Sequence, residues 1–273
     1  MKKLLLSFIL VFSVAIAFAL NPKKEYDVTP TDYGMDYEEI TIPSTDTFKL
    51  NAWFYKPRKN SKSSKLILIA GSGDGNMEDL IEVAGKFVSI GYHVITFDYR
   101  GYGKSTDFKV SSKFYIYSQF AQDLESVVDW SHKYQAKLAK DMYGVGVGAG
   151  LVIAVGANKP VINRVIADGA YFTLETVSKR IEASGSKVLM PMGYDATTLE
   201  PKFALESKGI HLDKVLLFVG DKDIINTVED QKALAKINKK CVVSVFKGND
   251  NKSSFASNKD EYFTRIKDFL GIE

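Results

Sequence analysis

Residues 141–158 read Asp141-Met142-Tyr143-Gly144-Val145-Gly146-Val147-Gly148, then Ala149-Gly150-Leu151-Val152-Ile153-Ala154-Val155-Gly156-Ala157-Asn158. The first three residues read as a short buried strand and residues 147–158 as a helix of small and aliphatic side chains, with Gly144, Gly146 and Gly148 alternating across the junction. A sharp glycine turn from strand to helix is a motif of layered α/β proteins, in which each buried strand feeds a helix that packs back on the sheet.

Working outward, the same alternation repeats on both sides. Upstream, a buried run at 66–70 leads through a glycine loop at 71–75 to an amphipathic helix at 77–90. A strand at 93–97 and a polar loop at 98–108 follow, then a helix at 115–134 whose apolar face carries Phe120, Leu124, Val127, Val128 and Trp130. Downstream, strands are expected at 164–167, 215–219 and 242–246, and helices at 229–237 and 259–270. Two further strands, 38–42 and 50–55, have the pattern of an antiparallel edge. Residues 56–65 form a basic, serine-rich surface connection, and 171–210 are the least regular stretch. There is no internal repeat and no second domain.

The ends and the composition narrow the setting. Lys2 and Lys3, an apolar run from Leu4 to Val14, and Ala17-Phe18-Ala19 have the order of a secretory signal peptide cleaved after Ala19. The protein is therefore expected to be secreted or periplasmic. An uncleaved membrane anchor is the alternative, since the run is near the lower limit for spanning a bilayer. Removal of 1–19 leaves a polar, loosely held arm at 20–37 and about 250 residues in all, enough for one well-buried domain at 38–273. The formal charge of +3 includes Lys2 and Lys3, and the remaining lysines are dispersed, which argues against nucleic acid as a partner. The lone cysteine, Cys241, sits in an apolar run and reads as a buried strand residue.

Four blocks, in order, carry a family resemblance. They are Ile67-Leu68-Ile69-Ala70-Gly71-Ser72-Gly73, Thr96-Phe97-Asp98-Tyr99-Arg100-Gly101-Tyr102-Gly103-Lys104-Ser105, the turn at Gly144–Gly148, and Leu217-Phe218-Val219-Gly220-Asp221-Lys222-Asp223. The chain resembles the α/β hydrolases, in the short-lid branch related to serine aminopeptidases and dienelactone hydrolases. The second block matches the family's D-x-R-G-x-G-x-S turn most closely. The resemblance implies an eight-stranded, mostly parallel sheet with helices on both faces and a short lid at 171–210.

It also implies a triad in the chain order Ser, Asp or Glu, His, with two backbone N–H donors for an oxyanion. Here the position of the nucleophile falls on Gly146, which has no side chain to attack a carbonyl. The acid falls on Asp223. The base falls in the loop 247–252, best on Asn249, with Asp250 one place away, and an amide does not relay a proton as imidazole does. The oxyanion donors fall on Val147 and the Gly71-Ser72 loop. An elbow serine holds a strained backbone that costs about 1–3 kcal/mol, which glycine avoids.

His93, His132 and His211 lie outside the loops that would form such a site, and their spacing predicts no metal centre. No cofactor is implied. The chain is expected to be a catalytically degenerate hydrolase with a binding or regulatory role, its partner a small hydrophobic ligand or peptide in the cleft. The apolar residues of 171–194 suffice to roof such a pocket, but the reading preferred for them is that they cover the core. Two alternatives stand beside this. One is an active ester or peptide hydrolase with a relocated nucleophile, from Ser72, Ser105, Ser253 or Ser254. The other is an interaction protein with no pocket ligand.

Overall fold

The computed structural model describes residues 20–57, 64–250 and 253–272. The leader at 1–19, the middle of the 56–65 connection and loop residues 251–252 lie outside the described residues, as does the side chain of Ser253. Eight strands form the main sheet: β1 Tyr37–Pro43, β2 Lys49–Tyr55, β3 Lys65–Ala70, β4 His93–Phe97, β5 Ala139–Val145, β6 Ile162–Asp168, β7 Lys214–Gly220 and β8 Cys241–Phe246. Their spatial order is β8-β7-β6-β5-β3-β4-β2-β1. The pairs β1–β2 and β2–β4 are antiparallel and the other five are parallel. The antiparallel edge read from 38–55 is therefore present, and the glycine turn after β5 falls at the centre of the parallel part.

Helices cover both faces, as parallel strands buried on both sides require. On one face lie α2 Gln119–Tyr134, α3 Val147–Asn158 and α4 Leu174–Ala183; on the other lie α1 Ile81–Ser89 and α9 Lys259–Leu270. The short helices α5 Ala196–Leu199, α6 Pro201–Glu206 and α8 Ser253–Ser257 and the longer α7 Val228–Ile237 complete the set. None of the helices among the described residues is long and apolar enough to cross a membrane.

The Asp98–Ser105 turn is a structural hub. Arg100 and Asp123 are 1% and 0% exposed. The guanidinium donates to Asp123 Oδ1 through Nη2 at 2.6 Å and to Asp46 through Nη1 at 2.6 Å, and the Arg100 amide donates to Asp123 Oδ2 at 3.0 Å. Ser105 Oγ donates to the Asp98 carbonyl at 2.7 Å and accepts from the Asn51 amide at 2.8 Å. That side chain ties the β2 edge to the turn and is not a nucleophile facing a cleft. Cys241 is buried, and burial pushes its thiol up to about 12.

Two expectations need correction. The arm at 20–37 is not loosely held: Asn21–Pro22 pairs with Asp74–Gly75, Tyr26 Oη donates to Asp98 Oδ2, and the Asp27 amide donates to Glu78 at 2.6 Å. Its polar residues find buried partners far away in sequence, which local composition does not reveal. The helix expected from 115 begins at Gln119, because Tyr115 instead donates its amide to Leu189 O at 3.0 Å and extends the chain against the 171–210 stretch.

Candidate active site

The turn after β5 is built around Gly146, whose backbone sits at φ 60°, ψ −125°. A non-glycine residue reaches this left-handed region only at a cost. Its amide donates to Asp168 O at 3.1 Å, which locks the turn to the end of β6. The neighbouring Gly148 is required for close approach: a Cβ there would lie 2.4 Å from Ala70 O and 2.5 Å from Gly71 O. Strand β3, its loop and helix α3 are thus pressed together, as an elbow needs in order to present its apex residue above the sheet.

At that apex the loop after β3 occupies the space where a side chain would stand. A Cβ built on Gly146 would lie 2.9 Å from Ser72 Cβ and 3.3 Å from Ser72 O. The Val147 N–H, read above as an oxyanion donor, donates to Ser72 O at 3.4 Å. A carbonyl therefore lies where the oxyanion would be received. Ser72 Oγ is engaged locally, donating to Asp74 O and accepting from Asp74 N, both at 3.3 Å. Gly71 lies against α3 beneath the loop and does not line the cleft.

The cleft beside the elbow has a volume of about 560 Å³. Gly146, Val147, Ser72 and Asp223 meet in its wall. Asp223 Oδ1 accepts from the amides of Ile225 at 2.8 Å and Asn226 at 2.9 Å, capping its own turn. Oδ2, the atom free to orient a base, is buried with no hydrogen-bond partner among the described residues. Burial raises the Asp223 carboxyl above the ordinary range, and Asp250 adds to the rise.

Asn249, the residue read as standing at the base position, does not line the cleft. Its carbonyl accepts from the Lys222 amide at 2.8 Å and lies over Gly220, where a Cβ would meet it at 2.1 Å. Among the described residues of this loop, Asp250, one place on, lines the cleft. Glycine at 220 lets the loop settle that way, so two carboxylates meet where an acid and an imidazole would pair. None of the three histidines lines the cleft. His93 opens β4, stacked on Phe54 with its Nδ1 3.3 Å from Lys65 O. Ser254 Oγ donates to Asp250 O at 3.0 Å within its helical turn.

The 171–194 stretch does not roof the cleft either. Tyr171, Phe172, Leu174, Val188 and Met190 pack on the core, with Tyr171 Oη donating to Leu199 O at 2.6 Å, while Leu189 and Met192 stand 51% and 93% exposed. The apolar lining of the cleft includes instead Leu20, Ile224, Ile225 and Phe255. Leu20 is 1% exposed and abuts the loop after β3 and Val147.

Asp168 was not singled out by the sequence. It ends β6 in register with Val145 of β5 and lies in the cleft wall, 1% exposed. Tyr262 Oη donates to its Oδ2 at 2.8 Å, and Tyr143 Oη lies 3.0 Å from Tyr262 Oη. Its Oδ1 has no partner among the described residues, and burial pushes its carboxyl up to about 7. Only its place at the carboxyl end of a buried strand, where open α/β sheets bind ligands, could have flagged it.

The raised value carries a stability consequence. Below pH 4 the carboxyl is protonated in both the folded and unfolded chain. Between pH 4 and 7 the unfolded chain ionises first, so stability falls as pH rises and stays low above 7. Asp168→Asn keeps an acceptor for Tyr262 and removes the charge. It is expected to raise the melting temperature at pH 8 by ~4–8 °C, on the order of 2 kcal/mol, and to leave it unchanged at pH 4. Asp98, also pushed up to about 7 by burial, keeps part of the slope in the variant. Equal melting of the two proteins at pH 8 would contradict the assignment.

The sheet order, the left-handed apex between β5 and α3 and the acid turn after β7 define the class: an α/β-hydrolase fold. The sequence profile of the serine aminopeptidase S33 family matches residues 61–208, more than half of the chain. The chain belongs to this family of the α/β-hydrolase superfamily. Protein bem46 of Schizosaccharomyces pombe is 26% identical over 199 residues, 72% of this chain, and an uncharacterized membrane protein of Saccharomyces cerevisiae is 36% identical over 78 residues. The chain spans 64% of the length of the first of these relatives and 26% of the second. Among solved structures, the Pyrococcus furiosus esterase Pf2001 superposes with a TM-score of 0.72 at 20% identity, covering 93% of this chain and 97% of that one. Est1E of Butyrivibrio proteoclasticus gives 0.65 at 18% identity, covering 85% and 97%. At such identities the likeness is one of fold.

Proposed function

We propose that this chain is an exported α/β-hydrolase-fold protein whose cleft serves binding or regulation and does not hydrolyse esters or peptides. The observation that carries the reading is the pairing at the cleft: Gly146 at the apex with Ser72 against it, and Asp250 in place of an imidazole facing Asp223. A triad needs a nucleophile, a titrating base and an oxyanion site together. None of the three is assembled by the groups described above. The basic, apolar and small-residue segments of 1–19 support export, with Leu20 as the first residue of the mature chain.

The test uses native material. Protein from its host should begin at Leu20, turn over p-nitrophenyl acetate no faster than buffer, and escape labelling by a fluorophosphonate. Turnover abolished by Ser72→Ala would overturn the reading in favour of a relocated nucleophile, and a retained Met1 would overturn cleavage after Ala19 in favour of the uncleaved anchor.

A further inference from the structure

The cleft has a chemical character that the loss of a triad does not by itself explain. Three of its buried polar atoms lack hydrogen-bond partners among the described residues: Asp168 Oδ1, Asp223 Oδ2 and Asn226 Oδ1. Asp168 and Asn226 are 1% and 3% exposed. Buried polar atoms in native proteins are nearly always paired, so three orphans in one wall require a partner. All three are acceptors, so the missing partner is a donor.

Charge adds a second constraint. Asp74, Asp79, Asp168, Asp223 and Asp250 line the cleft, against Lys222 as the one lining cation among the described residues. Asp223 raises the Asp168 carboxyl and Asp250 raises that of Asp223, so these carboxylates lie within each other's field. At pH 8, above the value to which burial pushes Asp168, water would serve its acceptor oxygen but would not offset its charge. Among the described residues no three acidic, His or Cys side chains converge as a metal site, so the carboxylates are spread along a wall and not gathered on a point. The rest of the lining includes apolar side chains, among them Leu80, Val83, Val147, Ile225 and Phe255. A volume of about 560 Å³ is that of a small-molecule pocket.

We propose that this cleft is a receptor site for an organic ammonium with an apolar body, its N–H donors directed to Asp168, Asp223 and Asn226 and its chain laid against Leu80, Val83 and Phe255. The assignment rests on the binding role proposed above and names its ligand class. A lone acidic rim would attract any cation weakly. A buried carboxylate with an unpaired oxygen selects one that can donate a hydrogen bond after leaving water.

Calorimetric titration of the full chain at pH 8 with n-octylammonium, n-octanol and n-octanoate tests this. The ammonium should bind at least about tenfold tighter than the alcohol, and the carboxylate should not bind, because a charge-assisted bond is worth that much and like charges repel. Asp168→Asn and Asp223→Asn should each remove most of the preference for ammonium over alcohol. Asp168→Asn is expected to melt no lower than the parent, so its loss of binding would not reflect misfolding. Equal binding of ammonium and alcohol, or indifference to both substitutions, overturns the ammonium site and leaves the binding cleft standing. No binding by any of the three overturns both. Ammonium preference together with ester turnover supports the site and overturns the non-hydrolytic reading alone.

Discussion

Gly146→Ser combined with Asp250→His is expected to hydrolyse p-nitrophenyl acetate at least about 10²-fold faster than either single variant, the lower range of what a positioned general base supplies. Asp250 is the right partner because it, and not Asn249, lines the cleft and lies in the field of Asp223. An imidazole there would give Asp223 Oδ2 the donor it lacks. The serine acts twice. Its Cβ would lie 2.9 Å from Ser72 Cβ, so the loop must withdraw, and that withdrawal takes the Ser72 carbonyl off the Val147 amide. Restoring the nucleophile therefore also clears one oxyanion donor. The single serine variant should lose about 1–3 kcal/mol of stability from its left-handed backbone and remain inactive. A single variant as active as the double would show that a base is already in place. A silent double variant with an intact fold would show that the cleft has moved away from triad geometry.

The largest stability effect is expected at Asp123→Ala. Arg100 and Asp123 are buried together, and removing the carboxylate leaves the guanidinium with Asp46, which is 40% exposed, Ser44 and the rings of Phe48 and Phe108. Breaking a buried pair from one side costs ~3–5 kcal/mol, which for a domain of this size lowers the melting temperature by roughly 6–20 °C. Replacing both partners with apolar residues should cost far less, because no charge is then stranded. Equal losses in the single and double variants, measured by thermal melts, would mean that the turn depends on the ion pair itself and not on avoiding a buried charge.

The sheet was legible because its strands are continuous apolar runs and its helices are amphipathic or small-residue segments. The elements at 93–97, 147–158 and 259–270 match to the residue. The elbow was legible from its glycines, and Asp223 from its place after a buried strand. What escaped depends on contacts across long stretches of chain. Tyr26 reaches Asp98, and Leu20 reaches the loop after β3, neither of which any local period encodes. The choice between Asn249 and Asp250 was set by the Lys222 amide and the bare Gly220, which turn one residue under and the next inward. Asp168 has the same cause: sequence ends a strand there, and only the fold shows that the strand ends in a cleft.

The seat of Leu20 bears on how the protein should be handled. Its side chain forms part of the cleft wall, so anything joined to its amide is attached at a residue of the site itself. The other terminus lies at the far end of the sheet, where Arg164, near the start of β6, donates to Leu270 O at 2.9 Å, while Asp168 at the end of the same strand faces the cleft. A purification handle or fluorophore belongs after α9, away from the residue that ties the start of the described chain to the cleft.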